Sequence, residues 1–493
     1  MSPPTSTYAP IERDNDDHDD TSALGQQPAD NAQNITSLAV AFWLLGLFNN
    51  SSYVIMIASA KTISEGGTAL VFLANVVPSM CIKLTAPYWF DYVSYEHRML
   101  VAFGCMVGSF AMVASSVVPS IQLLGVALGS AQSGLGEASL LAAAGKCDAS
   151  GKCIAGFSSG TGLAGVFGFL WKFVWNEWIQ LSMKTTLWLA QSLAVLYICI
   201  FWKSLRPFLT QAPPTTITAT EEIEPLEMTT YQTPLSTTTT NRSMADTDSN
   251  AAEASSYKDD EIGMQCHPQD TEPSLESPPE IPDNGFVEDS HNNNNHSLQE
   301  PKPVHEMTVT ERAQFVAMRL WPYIIPLFVV YAAEYSLQAG TWTAIGFPVD
   351  SEQARDEFYE FSNWMYQLGV FVSRSSGAFG PTAPVSILWL MPTLQALNVV
   401  FFAWVAAEHV WYNYTILIPC CFYVGLLGGG VYVHGYKRIC ADFVLVDQRE
   451  FALAATSVAE SMGIVCADLL GLFIQACLYR TNHIPGAVVS CPV

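Results

Sequence analysis

The chain has 493 residues, half of them hydrophobic and 13% charged, with a net charge of −24. That charged share is about half of the roughly 25% usual in globular proteins, which argues against an ordinary soluble domain. The acidity is local: residues 1–35 and 207–317 hold 27 of the 45 acids and 5 of the 21 bases, so the rest is nearly neutral and offers no basic patch for nucleic acid.

Residues 1–35 are polar and acidic (ERDNDDHDD) and are expected as a disordered N-terminal tail. They lack a basic n-region, so the first apolar run is expected to stay as an anchor. Six runs of membrane-spanning length follow, near 37–60, 68–90, 99–119, 121–145, 153–175 and 184–204. They predict an N-terminal six-helix bundle over 36–206. Residues 207–317 are rich in Thr, Ser, Pro, Asn and acids. Such a segment cannot bury enough apolar surface to offset its chain entropy, and it reads as a disordered loop. Five more runs, near 318–346, 361–380, 384–406, 412–440 and 451–479, predict a C-terminal helical bundle over 318–480, with a short tail over 481–493. The reading is an all-α polytopic membrane protein of about 11 helices in two bundles, the major-facilitator-like layout of secondary transporters.

Charge orients it. With the N-terminus in the cytosol, eleven Lys and Arg residues of short loops and flanks fall on the cytosolic side, Arg98, Lys146, Arg312 and Arg449 among them, against five on the other. The long acidic loop is then cytosolic, and the odd helix count leaves the C-terminus in the lumen. The sequon Asn413-Tyr-Thr falls on the non-cytosolic side as a glycosylation candidate.

Gly125–Leu170 joins two small-residue segments through a Lys-containing turn and reads as a tightly packed helical hairpin. It carries Glu137, with Ser133, Gly134 and Leu141 on the same helical face. An acid at membrane depth is expensive. It reads either as a proton- or substrate-binding group or as an acid satisfied by a Ser or Lys of a neighbouring helix. Lys83 lies between Pro78 and Pro87; it either snorkels to the interface or faces a cavity, with Glu137 as its natural partner. Glu334, flanked by Tyr331 and Gln338, forms a polar stripe of the kind that lines a cavity. Arg374 ends its helix as an interface anchor or an anion ligand. Three glycines, Gly428, Gly429 and Gly430, precede His434, Lys437 and Arg438. His434 is the one side chain of that group with an ordinary pKa near vacuolar pH. Glu460 and Asp468 lie eight apart, roughly on one face, and Gly463 leaves space beside Glu460.

The twelve cysteines fall mostly in apolar runs, Cys477 among them, where Cys acts as a small hydrophobe. Cys147 and Cys153 fit no zinc spacing, and no metal or cofactor is expected. GxGxxG, GxxxxGK[ST] and HExxH are absent, so no catalytic residues are assigned and enzyme activity is not expected.

The blocks FWLLGLFNNSSYVIM, SGLGEASLL, SSGTGLAG, YAAEY, MYQLGVFVSRSS, YVGLLGGGVYV and REFALAAT resemble the battenin family of animals and fungi, across essentially all predicted helices in order. The resemblance implies a multi-pass protein of the vacuolar or lysosomal membrane, related to the major facilitator superfamily. Its fungal members are associated with vacuolar pH homeostasis and transport of basic amino acids such as arginine, and its animal members with clearance of glycerophosphodiesters. The acids Glu137, Glu334 and Glu460 suit cations and protons; Lys83, Arg374 and Lys437 suit phosphodiesters. A non-transporting organiser that recruits trafficking partners through the long loop is the alternative of a different class. Two features depart from the family pattern. Only two residues follow Cys491, so prenylation is not expected. The segment APYWFDYVSYEHR keeps Asp91 and Arg98 without the glycines of the usual facilitator motif, which puts an ordinary gating latch in question.

Overall fold

Within a bilayer every backbone N–H and C=O must be satisfied by the chain itself, so long apolar runs become helices. A computed structural model describes the backbone of residues 23–58, 68–210 and 302–491, and the side chains of 34–56, 74–210 and 302–491. The order of the main helices is α1 Ala23–Ala58, α2 Thr68–Trp89, α3 Tyr95–Ser115, α4 Pro119–Cys147, α5 Lys152–Lys172, α6 Met183–Ile200, α7 Trp321–Ser336, α8 Glu352–Ser376, α9 Val385–Glu408, α10 Tyr414–Asp442, α11 Val446–Thr456 and α12 Val458–Thr481. Among the described residues there is no strand.

The protein is all-α and polytopic, but the count of eleven spans is not reproduced. Among the described residues, eight helices are long and apolar enough to cross a membrane. α4 and α8 are not among them. α4 is rich in Gly, Ala and Ser and is buried almost throughout Gly125–Gly145. α8 opens with the polar turns EQARDEFYE. A helix that meets protein rather than lipid needs no uniformly apolar surface.

Two expected boundaries shift. α1 begins at Ala23, inside the expected tail, where Ala- and Gln-rich sequence favours helix. The expected loop is structured at both edges, with helical Arg206–Thr210 before it and Val309–Phe315 at its end. Thr308 and Glu311 form a reciprocal capping box that starts the latter. The remainder of the expected loop, 211–301, and of the expected tail, 1–22, lies outside the described residues.

α4 and α5 are consecutive, yet they do not form the self-packed hairpin expected for Gly125–Leu170. α5 runs along α1 and α8, while α4 packs on α3, α2 and α11. The glycines explain the choice: Gly156 and Gly160 of α5 lie against the backbone carbonyls of Ala39 and Trp43 of α1, a separation that any side chain would widen. α8 and α10 pair in the same way, with Gly369 and Gly425 facing each other's backbones. The helices before and after the central segment meet along α5–α8, α4–α11 and α2–α12.

Candidate functional site

The α2–α12 contact carries the deepest charges. α2 contains two prolines, Pro78 and Pro87, and Lys83 lies between them. Lys83 is 2% exposed, so it does not snorkel. Its Nζ donates to Glu137 Oε2 of α4 at 2.7 Å and also to Glu460 of α12. One ammonium thus joins carboxylates from before and after the central segment. The Tyr432 hydroxyl of α10 donates to the other Glu137 oxygen at 2.5 Å.

Arg374 continues the cluster. Its guanidinium lies 3.8 Å over the Tyr432 ring, donates to Thr161 Oγ1 of α5 at 2.6 Å, and donates to the Tyr331 hydroxyl of α7 at 2.7 Å. It is buried, so it is not the interface anchor that its place at a helix end suggested. Its hydrogen-bond partners are neutral, and its Nε has none. Glu334 is 1% exposed; Oε1 accepts from the Tyr366 hydroxyl at 2.9 Å, and Oε2 has no hydrogen-bond partner. The triple glycine explains how both fit. A Cβ on Gly428 would occupy the place of the Glu334 carboxylate, and one on Gly429 would meet Ser373 and Arg374. Written as ions, Glu137, Glu334 and Glu460 outnumber Lys83 and Arg374 by one. Charge buried without a counter-charge invites a proton or a cationic ligand.

Other candidates lie elsewhere. Gln338 Nε2 donates to the backbone carbonyl of Glu334 at 3.5 Å, within a π turn over Leu337–Thr341. Lys437 Nζ donates to the carbonyls of Gly377 and Gly380 at 2.8 and 3.0 Å, closing the end of α8. His434 is half-buried, and its Nε2 lies 3.3 Å from Ser376 Oγ. Asp468 has one buried oxygen without a hydrogen-bond partner. Asn413 is exposed, and its Oδ1 accepts from Thr415 N at 2.9 Å. Cys477 is no packed hydrophobe: it is bonded to Cys491. The bond sits at the end of α12, where Asn482 Nδ2 donates to the Ala406 carbonyl of α9 at 2.8 Å. Among the described residues no group of three or more His, Cys, Asp or Glu is placed to hold a metal ion.

At the end that carries the central segment, the two sets of helices are closed against each other. Arg449 of α11 donates to the Gly145 carbonyl of α4 at 2.7 Å, and Glu450 accepts from the Tyr95 hydroxyl of α3. Arg312 pairs with Asp91 at 2.7 Å and donates to the Pro87 carbonyl at 2.9 Å. Arg98 is sandwiched between the rings of Phe90 and Tyr95, 4.2 and 4.0 Å from their centroids. Asp91 therefore does take part in a closure despite the missing glycines, with Arg312 as its partner.

The family model described as CLN3 protein matches residues 40–481. The chain belongs to this family. It is 30% identical to protein btn-1 of Neurospora crassa over 460 residues, spanning 91% of this chain and 90% of that protein. It is 29% identical to battenin of the dog, Canis lupus familiaris, over 88% of this chain and 89% of that protein. Among solved structures, it superposes on the human organic anion transporter MFSD10 (TETRAN) with a TM-score of 0.51 at 10% identity, covering 92% of this chain and 97% of that one. That likeness is one of fold. The chain is a battenin-family membrane protein whose fold is like that of MFSD10.

Sequence reasoning missed Tyr432, Tyr366 and Thr161 as parts of the cluster. Each had a signal: Tyr432 stands four residues after Gly428 in GGGVY, and Thr161 is the polar centre of the small-residue block SSGTGLAG. Arg312 was counted only as a basic flank, because its partner Asp91 is remote in sequence.

Proposed function

We propose that the protein is a proton-linked transporter of the vacuolar (lysosomal) membrane that moves basic amino acids such as arginine and contributes to vacuole pH homeostasis. The observation that carries this reading is Lys83, shared by Glu137 and Glu460 from the two sets of helices, beside a Glu334 with a free oxygen. In this reading the two sets are the two bundles of a rocking transporter, and alternating access requires the Lys83–Glu460 bond to break. Protonation of Glu460 removes the net negative charge of the cluster and weakens that bond. A cationic substrate replaces Lys83 on the carboxylates and bonds to Glu334.

The same reading places the N-terminus and central segment in the cytosol and Asn413, with the C-terminus, in the lumen. The Cys477–Cys491 bond supports it, because disulfides persist on the oxidising side of a membrane. Export of anionic glycerophosphodiesters is the second reading. It is favoured by Arg374, whose guanidinium is bonded to neutral groups and keeps a free Nε. Proteoliposomes with an imposed pH gradient, offered labelled arginine or a labelled glycerophosphodiester, separate the two. Arginine uptake that collapses with the gradient supports the first; flux of the phosphodiester alone replaces it with the second.

A further inference from the structure

We infer that residues 302–306, which follow the central segment, form a strap that bolts the closing helix α11 in place. The first turn of α11 is divided between two partners. Arg449 and Glu450 reach the opposite set of helices at Gly145 and Tyr95. The two residues before them face the strap: Asp447 Oδ2 accepts from Val304 N at 2.5 Å, and Gln448 Nε2 donates to the Lys302 carbonyl at 3.3 Å. His305 Nδ1 lies 3.5 Å from the same Asp447 oxygen.

The strap has one peg. Val304 is 1% exposed and belongs to the apolar core, while Lys302, His305 and Glu306 around it are exposed. A short segment with a single buried side chain and a few hydrogen bonds is held weakly enough to undock as a unit. Six residues further on, the same stretch contributes Arg312, which holds Asp91 and the Pro87 carbonyl of the opposite set. Docking of Val304 on Asp447 therefore positions both points at which this end is fastened. Undocking frees the first turn of α11 and loosens the Arg312 contact together.

The test needs no substrate, so it stands or falls separately from the transport reading; only the assignment of this end to the cytosol rests on that reading. Cys440 is buried close to Arg449, beneath the closure. Sealed vacuoles containing the full chain are treated from the cytosolic face with a membrane-impermeant maleimide, and labelling of Cys440 is read by peptide mass spectrometry. Asp447→Ala removes one hydrogen bond to a charged group and is expected to raise the labelling rate about tenfold. Val304→Ala removes the peg and leaves every charge in place, and it is expected to act in the same direction should Asp447→Ala fold poorly. Lys302→Ala spares the carbonyl that the strap uses and removes only an exposed ion pair with Glu311, so it is expected to label like the wild type. Wild-type labelling rates in both Asp447→Ala and Val304→Ala, or an equal rise in Lys302→Ala, would overturn the inference.

Discussion

Two buried polar networks lie within a few turns of each other, and only one is complete. In the first, Ser52 donates to Gln132 Oε1 at 2.5 Å, Gln132 Nε2 and the Tyr197 hydroxyl donate to Asn49 Oδ1 at 2.9 and 3.1 Å, and Asn49 Nδ2 donates to the Ser133 carbonyl at 3.1 Å. All of it belongs to α1, α4 and α6, and its side-chain atoms are bonded. In the second, around Lys83, Glu137, Glu460, Arg374 and Glu334, helices from both sides of the central segment contribute, charges do not balance, and Glu334 Oε2 and Arg374 Nε are unbonded. A complete neutral network fixes helices to one another. An incomplete charged one, shared across a contact that opens in the proposed transport cycle, is suited to exchange its partners.

The charged network is most vulnerable at Lys83. Lys83→Met leaves Glu137 and Glu460 facing each other without their cation. A loss of about 3 kcal/mol is expected, because an uncompensated charge stays buried. Melting of the detergent-solubilised protein measures it, and adding Glu137→Gln should recover part of the loss. A melting point unchanged in Lys83→Met would show that the pair is not formed as described.

Gly428→Ala acts on the incomplete network without removing a charge. The added Cβ falls on the Glu334 carboxylate and must displace it, at a cost of about 1–3 kcal/mol. Flux should fall while Gly435→Ala, whose Cβ meets nothing, leaves it unchanged. Equal flux in the two variants would mean that Glu334 needs no defined position.

The smallest effect is expected in the complete network. Tyr197→Phe removes one hydrogen bond to Asn49, which still accepts from Gln132. A loss of about 1 kcal/mol is expected, with the pH dependence of flux unaltered. A shifted pH profile in this variant would erase the distinction between the two networks.

Much of this was legible in the sequence for one physical reason: a bilayer allows little besides helices, so apolar runs alone located nearly every element. Glu137 and Lys83 could be paired because both interrupt such runs. The third member, Glu460, could be named but not placed, since nothing local relates α12 to α2. Eight spans stand out by apolarity among the described residues, and α4, which faces protein instead of lipid, is not one of them. The ends of the central segment failed because composition averages over it, while Val304 and the capping box at Thr308 are single-residue signals. The disulfide was hidden because a cysteine in an apolar run looks the same whether it is packed or bonded.

If the incomplete network carries protons with substrate, Glu334→Gln is the variant that reports on it. The substitution preserves shape and the Tyr366 contact but removes the unmatched charge. Uptake of labelled arginine into proteoliposomes is measured with and without a pH gradient. The wild type is expected to respond to the gradient and Glu334→Gln not to, with flux reduced about tenfold or more, as for a group that must change its protonation state and is fixed neutral. Gradient-driven uptake in Glu334→Gln equal to the wild type would contradict it.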